Sequence, residues 1–253
     1  MQQATGSDKR RKIMILAGAL TREVTEYLRN SNTVLIPVGS LEQHGEAAPL
    51  ACDTIIPVRL CAAAGMKNGT AVTPAVTFGM SENHMEFPGT VTLQPSTLSA
   101  LARDISVSLY SHGFRKIIFL SGHGGNRSPI TDGIMEAYEN CPDADMRYIA
   151  YWELPGVRKK QQELFCQDPG YHVTVTEVSM VWHLMGRQMP LFERVKFPPE
   201  PATSSLISRH RWKELYPDGG AGSDLKYVSG EKGEVFFDFL VNSLCLYLEA
   251  LNR

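Results

Sequence analysis

Glu42, His44 and Asp53 are three side chains able to hold a metal ion, and they sit close together in the segment VLIPVGSLEQHGEAAPLACD, residues 34–53. The start of that segment is apolar enough to be a buried strand, and it breaks at Gly39. A second apolar run, Ile117–Leu120, ends in the same way, in Ser121-Gly122-His123-Gly124-Gly125-Asn126. Glu177 opens a later helical pattern. Together these positions offer three carboxylates and two imidazoles. Three carboxylates against two divalent cations leave one unit of positive charge, which a bridging hydroxide would neutralise. That balance favours a two-metal site with Asp53 as the bridge. Such ligands suit Zn²⁺ or Mn²⁺, with Mg²⁺ or Fe as further candidates. Glu42 and His44 can face one point only if the backbone between them is specially shaped, and Gly39 and Gly45 supply that freedom.

Each feature has a plainer reading. EQH in a loop is usually a solvated turn. Glu177 alone is a residue favoured by the helix dipole. HGGN resembles an esterase oxyanion loop, but no GxSxG accompanies it. Gly122-x-Gly124 has Arg127 where a dinucleotide fingerprint needs its third glycine, and no GxxxxGK[ST] is present. Only the combination of ligands points to metal chemistry. A non-catalytic binder of a small molecule or nucleotide is the alternative, and it has no use for three clustered carboxylates.

The elements must bring these residues together. Helical spacing marks Leu20–Leu28 with Thr21 as N-cap, Leu98–Leu109 closed by Gly113, Ile130–Tyr138, Thr176–Met185 stopping at Gly186, and Glu231–Ala250. The last of these buries Val235, Phe236, Phe239, Leu240, Leu244 and Leu248. Strands are expected at Thr33–Val38, Ala71–Val76, Lys116–Leu120 and Arg147–Trp152. Alternating strands and helices imply an α/β fold with a mostly parallel sheet. Open sheets of that kind place ligands beyond the carboxyl ends of their strands. Residues 153–175 and 187–230 read as long loops, lids or interface segments.

Composition narrows the class. With 253 residues, 43% hydrophobic, 21% charged and a net charge of −2, the chain suits one globular domain over 12–253 after a flexible tail at 1–11. Nothing in that balance points to nucleic acid or a membrane surface. Five cysteines without CxxC spacing suit reduced core thiols in a cytoplasmic protein, although Cys52 lies beside Asp53.

GSLEQHG with the trailing Pro49-Leu50 and Asp53-Thr54, then FPGT at Phe87–Thr90, SGHGGN at Ser121–Asn126, His172 through Glu177 to Ser179, and EKG at Glu231–Gly233 resemble the creatininase (creatinine amidohydrolase) family, over about residues 33–250. The resemblance implies a three-layer α/β/α sandwich, a binuclear metal centre and a homohexamer assembled from dimers. It implies hydrolysis of a non-peptide or small cyclic amide C–N bond. Glu42, His44, Asp53 and His123 match family ligands. The family's Glu two residues beyond the GH histidine is Gly125 here, and Glu177 looks like its replacement. His172 matches the catalytic histidine, with Glu177 or Glu46 assisting proton transfer. Ser81, His84, Gly124 and Trp152 are expected to meet substrate. Ala47-Ala48 replaces a second histidine, and Val173-Thr174-Val175 replaces a run of small residues, Gly and an acid. Aromatic residues that hold creatinine are missing at Gly124 and near Asp168, leaving Trp152. Creatinine is therefore not the expected substrate.

Overall fold

The computed structural model describes residues 14–166, 170–188, 196–199 and 207–252. The tail expected at 1–11 and the position Asp168 lie outside these, as does much of 187–206. Four parallel strands form the sheet: β1 (Thr33–Val38), β2 (Ala71–Val72), β3 (Lys116–Ser121) and β4 (Asp145–Ala150), in the order β2-β1-β3-β4. The helices are α1 (Thr21–Leu28), α2 (Cys52–Asn68), α3 (Pro95–Ser111), α4 (Arg127–Ala137), α5 (Val157–Leu164), α6 (Val175–Met185), α7 (Arg209–Leu215) and α8 (Gly230–Leu251).

Strand alternation sorts the core into two layers. Val34, Ile36 and Val38 of β1, with Ile117 and Phe119 of β3, pack under Leu98 and Ala102 of α3 and Ile130 and Ile134 of α4. Leu35, Ile118 and Leu120 face the other way, against Ile56 and Leu60 of α2, Met180 of α6 and Leu240 and Leu244 of α8. The result is a three-layer α/β/α sandwich whose sheet is covered on both faces, which is why β1 and β3 read as unbroken apolar runs.

Topology locates the site. The chain leaves β1 through α2 toward β2 on one side, then crosses through α3 to β3 on the other side of β1. The connections after β1 and β3 therefore diverge, and they open a crevice at the carboxyl ends of those two strands.

Several sequence expectations are corrected. Residues 52–68 form a 17-residue helix that the apolar pattern did not announce, because Pro57 stands inside it. Pro57 lies in the second turn, where its missing N–H leaves the Asp53 carbonyl without a helical donor. The strand at Ala71–Val76 shrinks to Ala71–Val72, because Pro74 has no N–H to continue the ladder. Val76 N still donates to Pro37 O at 3.0 Å. The strand expected at Arg147–Trp152 ends at Ala150, and a 3₁₀ turn carries Tyr151–Glu153. Thr21 is the first helical residue of α1 rather than its cap; Leu20 N donates to Glu23 Oε2 at 2.8 Å. Val235 is 48% exposed. The segments read as loops contain α5 and α7.

Candidate metal centre and active-site cavity

Two glycines set the geometry at the base of the crevice. A Cβ on Gly39 would lie 2.2 Å from Thr54 Oγ1, and a Cβ on Gly122 would lie 2.2 Å from the Asp53 carbonyl oxygen. The exits of β1 and β3 thus press against the first turn of α2, which carries Asp53. Asn126 ties the same corner together, donating from Nδ2 to Gly39 O at 2.9 Å and accepting from Met80 N at 3.0 Å. The asparagine of GHGGN is therefore a structural clamp.

The carboxylates and imidazoles meet there. Asp53 turns one oxygen to each of two rings: Oδ1 lies 3.2 Å from His44 Nε2, and Oδ2 lies 2.9 Å from His123 Nδ1. Ser40 Oγ also donates to Oδ2, at 2.9 Å. Glu42 is wholly buried, with Oε1 3.3 Å from His123 Nδ1. Neither Glu42 oxygen has a hydrogen-bond partner among the described residues, and neither does His44 Nε2. The outward nitrogens are spoken for. His44 Nδ1 lies 3.2 Å from the Glu42 carbonyl, and His123 Nε2 lies 2.6 Å from the Met80 carbonyl. Backbone carbonyls only accept, so those nitrogens carry the protons. The inward nitrogens are left with lone pairs facing carboxylate oxygens. Lone pair against anion is unfavourable unless a cation stands between them. Fixing a ligand histidine through its far N–H is the arrangement metal sites use.

Protonation answers the same need when no metal is bound. Burial opposes charge on His44, yet the Asp53 carboxylate beside it helps hold its pKa well above the usual range. Burial is likewise outweighed at His123, by Glu42 and Asp53. Asp53 is held well below the ordinary carboxylate range against its burial, by His44 and His123. His84 and His172 shift the other way, lowered first by burial. Burial pushes the Cys52 thiol up to about 12, so it stays a protonated core group. Among the described residues, three sets of groups lie close enough to share an ion: Glu42, Asp53 and His123; His44, Cys52 and Asp53; and Glu42, His44 and His172.

The structure therefore brings Glu42, His44, Asp53 and His123 to one point and sets His172 against them, Nδ1 3.7 Å from Glu42 Oε1. Glu177 stands on the wall of the same cavity, in the first turn of α6. Its carboxylate accepts from Thr174 N, and its own N donates to Thr174 Oγ1 at 3.2 Å, a capping box. His172 precedes Val173, which holds φ at 59°. A β-branched residue there is strained, at roughly 1–3 kcal/mol, and the Val173 side chain is fully buried.

The cavity measures about 670 Å³, and Ser81, His84, Gly124 and Trp152 all line it. A Cβ on Gly124 would meet nothing within 4 Å. Sequence reading missed Gln43, buried between the ligand positions, and Trp212 of α7. Trp212 closes on the His84 ring edge-on, at 4.7 Å. The expectation that Trp152 alone remains is also revised, because Tyr151, Tyr171, Trp212 and Phe236 share the lining. An isolated tryptophan in the polar stretch RHRWKEL was the available signal for Trp212.

A family model described as creatinine amidohydrolase matches residues 19–248. The chain belongs to the creatininase family. Creatinine amidohydrolase of Pseudomonas putida is 28% identical over 232 residues, covering 83% of this chain and 86% of its own. A mycofactocin precursor peptide peptidase of Mycolicibacterium smegmatis is 38% identical over 128 residues, 44% of this chain and 51% of its own. A 3-dehydro-scyllo-inosose hydrolase of Thermotoga maritima is 32% identical over 104 residues, 41% and 33%. Among solved structures, one named Creatininase Mn superposes with a TM-score of 0.83 at 25% identity, covering 94% of this chain and 98% of its own. A Zn–Zn creatininase variant gives the same values. Family members are hydrolases acting on C–N bonds, and this chain carries a metal-capable cluster in that fold. No helix among the described residues is long and apolar enough to cross a membrane.

Proposed function

We propose that this chain is a metal-dependent hydrolase of a non-peptide or small cyclic amide C–N bond, with a substrate other than creatinine. The observation that carries the proposal is the pair of inward-facing nitrogens on His44 and His123, each opposed to buried carboxylate oxygens. That donor set fits two divalent ions, zinc or manganese ahead of magnesium or iron. Glu42, Asp53 and His123 would hold one ion; His44 and Asp53, with Glu177, would hold the second. Bound there, the ions would polarise the substrate carbonyl and lower the pKa of water toward about 7.

The chain's own groups do the rest. His172, with Nδ1 turned to the cluster, is placed to carry a proton to the leaving nitrogen. Ser81 Oγ and Trp212 Nε1 are buried on the cavity wall without hydrogen-bond partners among the described residues. Each offers a proton to an acceptor on the substrate, since an unmet buried donor costs about 1–3 kcal/mol. Gly124 leaves room beside the cluster, and Trp152 supplies an apolar face. A cavity of this size is of the class that takes drug-sized ligands. The relatives hydrolyse substrates as different, by their names, as creatinine and a precursor peptide, so the reaction class carries over more firmly than any one substrate. We further propose a cytoplasmic protein that assembles as a hexamer, a trimer of dimers; sedimentation of the purified chain would test the assembly.

The experiment is a panel of lactams, formamides and short peptides, offered to zinc- or manganese-loaded protein with and without chelator. Chelator-sensitive turnover of a lactam or formamide is expected, with creatinine left intact. Turnover of peptides alone, creatinine hydrolysis in the ordinary enzyme range of ~1–10³ s⁻¹, or indifference to chelator would overturn the proposal.

A further inference from the structure

Gln43 lies between two residues assigned to the metal cluster, but its own side chain turns away from them. It reaches three acceptor positions with one nitrogen. Gln43 Nε2 is 2.9 Å from His84 Nδ1, 3.0 Å from His172 Nε2 and 3.0 Å from Gly219 O. An amide nitrogen has only two protons. Deciding where they go fixes both rings.

Backbone groups decide the orientation of the amide. Gly219 O can only accept, and it faces Nε2. Gly45 N can only donate, and it faces Oε1 at 2.9 Å. Flipping the amide would oppose oxygen to oxygen and N–H to N–H. One amide proton is therefore committed to Gly219 O. Gly219, at φ 90°, could carry no side chain there, because a Cβ would lie 1.9 Å from Gln43 Oε1. The second amide proton has two claimants. His172 Nε2 has another partner, the Gln43 backbone carbonyl at 3.0 Å, which only accepts. Among the described residues, His84 Nδ1 has only the amide. Giving the proton to His84 Nδ1, and letting His172 Nε2–H donate to the Gln43 carbonyl, satisfies every group. Giving it to His172 instead leaves the Gln43 carbonyl without that donor and Gly219 O or His84 Nδ1 unmet.

We propose that Gln43 is a positioning residue that holds the stacked His84 and His172 rings in the same Nε2–H tautomer but in opposite orientations, so that His84 presents a proton donor and His172 a proton acceptor to the cavity. The rings stack at 4.3 Å and 30°. His84 Nε2 lies 3.8 Å from Glu42 Oε1, while His172 turns Nδ1 to the same oxygen at 3.7 Å. A donor and an acceptor thus stand side by side at one carboxylate. On the hydrolase reading, which this extends, His172 is the group able to take up a proton and His84 the group able to steady an oxygen. One side chain sets both, because its amide and its own carbonyl grip one ring each.

The test is a tautomer measurement on the full, zinc-loaded chain with ¹⁵N-labelled histidine, in solution or as sedimented protein, with signals assigned through His84→Gln and His172→Gln. The wild type is expected to show both rings protonated at Nε2 and bare at Nδ1. In Gln43→Glu the carboxylate can only accept, so His84 is expected to gain a proton at Nδ1 while His172 keeps its Nε2–H. A proton on Nδ1 of either ring in the wild type overturns the proposal. So does a His84 signal unchanged by Gln43→Glu. Should that variant fail to fold, the wild-type spectrum still decides. Because no turnover is measured, the result stands apart from the amide panel: tautomers as stated with no amide hydrolysed would sink the hydrolase reading alone.

Discussion

At the residue scale, Asp53 is the group on which the cluster depends. It offers one oxygen to His44 and the other to His123. Removing it takes the shared anion from both halves, whereas removing His44 takes a ligand from one. Asp53→Ala is expected to lose nearly all bound metal and activity, and His44→Ala to retain part of its metal; elemental analysis of protein purified with zinc or manganese checks this. Equal metal content in Asp53→Ala and wild type would rule out the shared role. Ser40 makes a subtler prediction. Its hydroxyl donates to Asp53 Oδ2, and outer partners of this kind are worth ~10–100-fold in metal affinity. Ser40→Ala should weaken binding by about that factor, read by competition with a coloured chelator, while unfolding of the metal-free protein stays close to wild type. Glu42, His44, Asp53 and His123 were legible in the sequence because few residue types bind metal and their spacing around two strand ends is unusual. Gln43 and Trp212 were not, since a glutamine's role appears only once its hydrogen-bond partners are in place.

At the element scale, the site exists because three chain segments approach more closely than side chains permit. Gly122 lets the exit of β3 rest on the carbonyl of Asp53, and Pro57 lies 2.8 Å from where a Cβ would stand. Both are backbone or ring atoms and cannot swing aside. Gly122→Ala should therefore destabilise the fold by about 1–3 kcal/mol, the usual cost of overpacking, and weaken metal binding by moving His123 off Asp53. Gly124→Ala, two residues on, meets open space. Its unfolding free energy should stay within ~0.5 kcal/mol of wild type. Denaturant unfolding of the two variants compares them directly, and equal losses would contradict this account of the corner. The strands were readable because a doubly covered parallel sheet leaves apolar runs. Helix α2 was not, because its proline looked like a break. The same proline removes the N–H that would have bonded to the Asp53 carbonyl, at the face where Gly122 packs.

At the scale of the whole molecule, the order β2-β1-β3-β4 gathers ligands far apart in sequence at one edge of the sheet. That edge was expected from the alternation of strands and helices, although the order itself was not, since crossovers leave no mark on hydrophobic periodicity. Concentrating Glu42 and Asp53 there has a global consequence. The folded chain presents an assembled ligand set, whereas the unfolded chain scatters it, so metal binding adds to folding stability. An ion at 100 to 1,000 times its dissociation constant contributes ~2.7–4.1 kcal/mol. For a domain of this size each kcal/mol moves Tm by about 2–4 °C. Chelation should therefore lower Tm by on the order of 5–15 °C, with recovery when zinc or manganese is restored. Asp53→Ala supplies the control: lacking the shared carboxylate, it should melt at the same temperature with and without chelator. A wild-type Tm indifferent to chelation would mean that the folded chain holds no stabilising metal, and that protons on His44 and His123 suffice to balance the buried carboxylates.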